Sequence, residues 1–305
     1  MRKIYAISIL TCLIVLSSFI VNAQSYWQKS SVPAGRITTD KAVARQSFPK
    51  EFNLFDLNIA PLRQELFNVT GNHNTHSTVI SLPDAAGNIE QFEIFEASNF
   101  EPPLQARFPE IRAFSGKGIT DKYSTLKLSI SPQGVQGMIF RTEKENEFIE
   151  PYSQDHSVYA VFKSQRIKGQ LPWSCTTQDT QMATGLNSVI SGSNFTASST
   201  GELKVMRVAQ SCNGEYSNYV GAFSATQVSL VLAAYNATLT RCNGVYEKDL
   251  ALHLNLIPTT TDVIFYDPAT DPYTTLGAWN LQLHPNTSIS LTKILKGSLN
   301  LECSP

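Results

Sequence analysis

Charge is scarce in this sequence, and neither sign is in surplus. Lys and Arg number 24 against 25 Asp and Glu, and charged residues make up 16% of the chain, where soluble domains average about 25%. That balance argues against nucleic acid or an anionic membrane surface as partner. Histidine is rarer still, with five in 305 residues. No two of them bracket a glutamate at helical spacing, so the sequence lacks His-Glu-x-x-His, the pattern that supplies two zinc ligands and a general base. The five cysteines show no Cys-x-x-Cys, which excludes a structural zinc site of the usual spacing. They are also too far apart for a small disulfide scaffold. Beyond residue 23 no stretch is apolar for long enough to span a bilayer.

What the N-terminus does have is an export pattern. Arg2 and Lys3 precede an apolar run from Ile7 to Ile20, and Val21-Asn22-Ala23 offers small residues for cleavage before Gln24. Residues 1–23 therefore read as a secretory signal peptide, removed with Cys12. The mature chain is expected outside the cytoplasm: secreted, periplasmic or at the cell surface, with no membrane partner after cleavage. Its 42% hydrophobic content, with 16 Phe, 11 Tyr and 3 Trp, is ample for packed cores. The remaining length suits two domains.

Residues 24–162 read as β-rich. Ser77–Pro83 and Ile89–Phe95 flank the turn cluster Asp84–Asn88, a hairpin pattern. Tyr123–Ile130 and Val135–Arg141 flank Ser131-Pro-Gln-Gly134 and form a second. Glu147–Tyr152 and Val158–Phe162 complete the set. Alternation of apolar and polar residues implies an antiparallel sheet with one face on a core. His73 and His76 lie in a polar loop, and Asp155-His156 forms a turn pair. None has the neighbouring ligands that a metal site needs.

Residues 163–201 change to Ser, Thr, Gly and Gln, the composition of a linker. Beyond it, Glu202–Gln210 and Leu250–Ile257 read as strands on either side of a helix. The helix shows an apolar stripe of Val228, Val231, Leu232, Tyr235, Leu239 and Cys242. Ser224 and Gln227 form a capping-box pattern at its start, and Asn243-Gly244 predicts its end. A strand, a helix and a strand predict parallel pairing with a right-handed crossover. His253, alternating with Leu252, Leu254 and Leu256, reads as a structural residue, and Asp267 and Asp271 as turn caps.

Several motifs then carry a resemblance. Leu104-Gln-Ala-Arg-Phe-Pro-Glu-Ile-Arg112, Phe114-Ser-Gly-Lys-Gly-Ile119, Ser131-Pro-Gln-Gly134 and Ile149-Glu-Pro-Tyr152 follow one another in order. The series resembles the propeptide of reprolysin-like (adamalysin-type) zinc metallopeptidases of secreted bacterial proteins, those of the Bacteroidetes above all. Val208–Tyr216, Thr240–Leu250 and Tyr266–Tyr273 resemble the start of the same family's peptidase domain. The central element, with Arg241, Asn243, Gly244, Tyr246, Glu247 and Asp249, is the most specific, and the family assigns it to the upper sheet and its backing helix.

The resemblance implies an α+β protein: a β-rich antiparallel propeptide domain (24–162), a linker (163–201), and the N-terminal βαβ part of a metzincin-like α/β domain (202–283). In the full-length family a zinc-activated water hydrolyses peptide bonds of protein substrates. A propeptide cysteine can occupy the open zinc position, and Cys175 is the candidate for that switch, although the flanking residues usual in the family are absent. The family pattern stops before its zinc-binding helix, and His284–Pro305 diverges from it. The expectation is a truncated precursor that binds no zinc, has no catalytic or metal-ligating residues of its own and is inactive. The alternative is a non-catalytic secreted binding or inhibitory protein derived from the propeptide. Nothing in the sequence fixes an oligomeric state.

Overall fold

The computed structural model describes residues 26–45, 48–71, 76–164 and 202–273. The signal peptide, nearly all of the linker with Cys175, His73, and the tail with His284 lie outside the described residues.

Nine strands make one antiparallel sheet: β1 (Trp27–Lys29), β2 (Asn53–Leu57), β3 (Thr78–Pro83), β4 (Ile89–Glu96), β5 (Arg112–Gly118), β6 (Thr125–Ser131), β7 (Gly134–Phe140), β8 (Glu147–Pro151) and β9 (Val158–Lys163). Their order is β1-β2-β9-β8-β7-β6-β5-β4-β3. From β3 to β9 each strand pairs with the next one in sequence, so the alternating patterns become a meander of hairpins. The sheet curls until β1 lies against β3, which leaves a nearly closed barrel.

Alternation decides what fills it. Ile80, Leu82, Phe92, Ile94, Phe114, Leu126, Leu128, Ile139 and Val161 all point inward and are buried. Helix α1 (Ile59–Asn68) inserts Leu62 and Leu66, one turn apart, into the same core. Trp27 packs edge-on against Tyr159 at one end, with ring centroids 5.2 Å apart. Four of these elements, β1, β2, α1 and β5, are absent from the sequence reading. In β5, Gly116 and Gly118 dilute the strand signal. Yet both are required there, since a Cβ on Gly116 would stand 2.7 Å from the Ile94 side chain.

The outer face of the sheet is covered twice. A segment from Ala34 to Phe52 lays Phe48 and Phe52 over Tyr152 and Phe162. Helix α4 (Val228–Leu250) crosses β5, β6 and β7. It belongs to a second layer in which β10 (Lys204–Val208) and β11 (Leu252–Leu256) pair in parallel, as the βαβ reading requires. Two short helices complete the described α-helices: α2 (Pro102–Arg107), between β4 and β5, and α3 (Gly214–Tyr219), before α4.

The helix runs further than its sequence suggests. Gly244 is interior, and the left-handed cap is Ala251, with φ 52° and its N–H donated to the Tyr246 carbonyl. Gly244 sits instead where the helix comes closest to the sheet: a Cβ there would be 2.6 Å from the Phe140 ring and 2.9 Å from Lys127 Cγ. At the other end Gln227 Oε1 accepts from Phe223 N, and Ser224 makes no side-chain cap.

Candidate functional site: the joint between sheet and helix

Helix α4 is buried on two sides. Its apolar stripe, Val231, Leu232, Tyr235 and Leu239, faces α3 and β11. Beside it runs a polar stripe, Asn236, Thr240, Asn243 and Glu247, spaced by four, three and four, and this side meets the sheet. Polar side chains can be buried there only if each finds a partner, because a lost hydrogen bond in such a place costs about 1–3 kcal/mol.

Asn99 is the centre of that exchange. It lies in the segment between β4 and α2 and is 2% exposed. Its Nδ2 donates to Asn236 Oδ1 at 2.9 Å and to Thr240 Oγ1 at 2.8 Å. Its Oδ1 accepts from Asn243 Nδ2 at 2.9 Å. The Asn99 backbone carbonyl takes the Leu256 N–H, and Glu101 N donates back to the Leu256 carbonyl. This stretch is therefore a second parallel partner for β11, on the edge opposite β10. Asn243 extends the pairing by one step, since its carboxamide accepts from Leu254 N at 2.8 Å and donates to Leu254 O at 3.0 Å. A side chain stands in for a strand residue.

A charged group lies next to it. Lys127 of β6 donates to Ser115 Oγ at 2.6 Å and to Glu247 Oε2. Glu247 Oε1 faces His253 Nδ1 at 2.7 Å. His253 Nε2 faces the Ser98 carbonyl at 3.1 Å and Asn255 Oδ1 at 3.2 Å. Burial works against the Glu247 carboxylate, but its hydrogen bonds with His253 and Lys127 outweigh that and hold its pKa below the ordinary value of 4.5. A third group sits further along β8. Glu150 pairs with Arg241 of α4 at 2.9 Å and with Arg45 of the N-terminal segment at 2.6 Å. Arg241 also donates to Gln136 Oε1 and lies over the Phe148 ring.

Of the six motif residues, the structure thus brings Arg241, Asn243, Gly244 and Glu247 to the joint. Tyr246 is half-buried and contributes its carbonyl to the helix cap, and Asp249 is exposed. Of their partners, Asn99 and Lys127 are not singled out in the sequence, and Glu150 enters only within the motif Ile149-Glu-Pro-Tyr152.

Ser115, Lys127, Glu247 and His253 make a constellation with the look of catalysis, and its wiring says otherwise. The Lys127 ammonium donates to both Ser115 and Glu247, so it offers no lone pair for the serine proton. The recess that these residues line, with Asn99 and Thr240, has no space for a water molecule. Elsewhere, Asp267 accepts from Ala269 N and Asp271 from Gly214 N and Tyr273 N, the turn-capping roles expected of them. Cys212 is buried, and Cys242 is half-buried with its thiol pKa raised by burial.

Residues 202–288 match the family model described as metallo-peptidase family M12B, reprolysin-like. That segment is similar to reprolysin-like metallopeptidases. It is less than a third of the chain, and it holds β10, α3, α4, β11 and the central motif. No curated protein and no solved structure matches the chain. The family is zinc-dependent, but the described residues do not fit that metal. Both His253 nitrogens face acceptors, His76 is exposed in a loop, and His156, in the turn between β8 and β9, stands 3.5 Å from Asp40. Among the described residues no three His, Cys, Asp or Glu are grouped to hold an ion, and no helix is long and apolar enough to cross a membrane.

Proposed function

We propose that the chain is an exported precursor of the reprolysin-like metallopeptidase type, in which residues 24–162 act as propeptide to the segment beginning at 202. The observation that carries this reading is one of place. The segment that matches the family is the one whose helix and strand the N-terminal sheet grips, through Asn99, Lys127 and Glu150. A propeptide needs such a grip, because it has to hold its domain before processing.

The family hydrolyses peptide bonds with zinc. These 305 residues contain no His-Glu-x-x-His, so we assign the hydrolysis to the family and none of its steps to a residue of this chain. The signal-like residues 1–23 support export, and the polar composition of 163–201 supports processing there. Cys175 lies in that stretch and is the candidate zinc-blocking thiolate of the zymogen.

Mapping the N-termini of the natively exported protein by mass spectrometry tests the reading. Two new termini are expected, one at Gln24 and one between 163 and 201. A protein that keeps Met1, or one that is exported and never cut in that stretch, would overturn it.

A further inference from the structure

We propose that the N-terminal sheet is a self-standing binding module for the reprolysin-like segment, and that the two remain a one-to-one complex when the chain between Ser164 and Glu202 is cut. Three independent features of the contact lead there, and none of them uses residues 165–201.

The first is strand completion. Leu256 turns its N–H and carbonyl away from β10, and Asn99 and Glu101 take them both. Without the sheet that edge of β11 would stand bare, and bare strand edges seek a partner. The second is an apolar plug. Phe100, Leu104 and Ile111, all 3% exposed or less, leave the sheet between β4 and β5 and enter the core of α4 and β11. The third is charge. Lys127 with Glu247, Glu150 with Arg241, and Glu101 with Arg207 each place one member on either side.

Backbone pairing gives the register, the plug gives the apolar anchor, and the ion pairs select the partner, the division of roles seen in interfaces between separate proteins. The covalent connection then serves to raise the local concentration of one piece about the other. The kind of partner is equally defined. It is a helix–strand unit with an open strand edge, an apolar cleft, and a carboxamide four residues before a carboxylate on the helix. The inference rests on this contact and stands whether or not the segment is a peptidase.

A single recognition site for a specific protease, placed within 165–201 of the full chain, allows the purified protein to be folded first and cut afterwards. Gel filtration and native mass spectrometry at about 2 µM would show half association for a dissociation constant of about 1 µM. Both fragments are expected in one peak at a ratio of one to one. Separation of the fragments, or precipitation of the C-terminal one with the sheet left alone in solution, would overturn the proposal. In the same cut protein Leu104→Ala should weaken retention by at least about tenfold, as loss of a buried anchor does. Unchanged retention would remove the plug from the account. If Leu104→Ala does not fold, Arg241→Gln serves in its place, with a several-fold weakening expected and no change counting against the charged contact. Native N-termini report on the precursor reading alone, so the two ideas can fail separately.

Discussion

The two hydrophobic cores of this protein differ in ownership. The core inside the sheet is drawn from residues between Tyr26 and Val161, all on the N-terminal side of the linker. The core beneath α4 is shared: Phe100, Leu104 and Ile111 come from the sheet's side, and Val231, Leu232, Tyr235, Leu239, Leu256 and Ile264 from the other. One region closes on itself and the other is completed by its neighbour. A nearly closed antiparallel sheet satisfies its own backbone and fills its own interior. A pair of parallel strands with one helix covers a single face and leaves edges open. Leu203, just before β10, and Val205 and Met206 on it are exposed even with the sheet in place.

The sharpest way to break that contrast is to separate the regions before folding. Expressed alone, residues 24–164 should be soluble and melt cooperatively. Residues 202–305 alone should be insoluble or molten, binding hydrophobic dye without a cooperative transition. The difference is all-or-none by calorimetry. A monomeric 202–305 with a sharp melt would show that the second core does not need Phe100, Leu104 and Ile111.

Gly244→Ala probes the contact at one atom. Alanine is the better helix former by about 0.8–1 kcal/mol, so on an isolated helix it would stabilise. Here the new methyl would meet the Phe140 ring at 2.6 Å, and that ring is 7% exposed and has little room to turn. Overpacking of this kind costs about 1–3 kcal/mol. We expect a net loss of about 1 kcal/mol or more in urea denaturation. A stabilised variant would mean that the helix does not press on the sheet at this point.

How far the fold was legible follows from how far apart the partners are. The hairpins of β3–β4, β6–β7 and β8–β9 join neighbours through short turns, and alternation alone finds them. The apolar stripe of α4 is equally plain. Its polar stripe has spacing just as regular and was legible in principle, yet Asn236, Thr240, Asn243 and Glu247 read as a solvated face unless a buried partner is known. For the first three that partner, Asn99, lies 137 to 144 residues away. Nothing local marks it, because an asparagine between a serine and a phenylalanine has no periodicity to break. Family likeness picked out Arg241, Asn243 and Glu247 with no account of why those types are needed. The structure supplies it: each is half of a pair whose other half lies on the N-terminal side of the linker. Gly244 shows the opposite error, where a residue read through its backbone freedom is needed for its missing side chain.

The finest probe is acid. Glu247 has a folded-state pKa below its ordinary 4.5, because hydrogen bonds with His253 and Lys127 outweigh the cost of its burial. A group with a depressed folded-state pKa adds stability above its unfolded value and gives it up as the pH falls through the folded value. Its contribution is therefore complete at neutral pH and fades below about 4.5. Glu247→Gln removes the titration while keeping the shape. Wild type should be the more stable of the two at pH 7, with the gap narrowing as denaturation is repeated at lower pH below that value. The two pieces of a cut chain should likewise part more readily in acid when Glu247 is present than the neutral-pH data alone would suggest. Parallel stability curves for the two proteins down to pH 3 would show that the Lys127–Glu247–His253 group is not what ties helix to sheet, and would leave Asn99 and the plug as the bonds between the two regions.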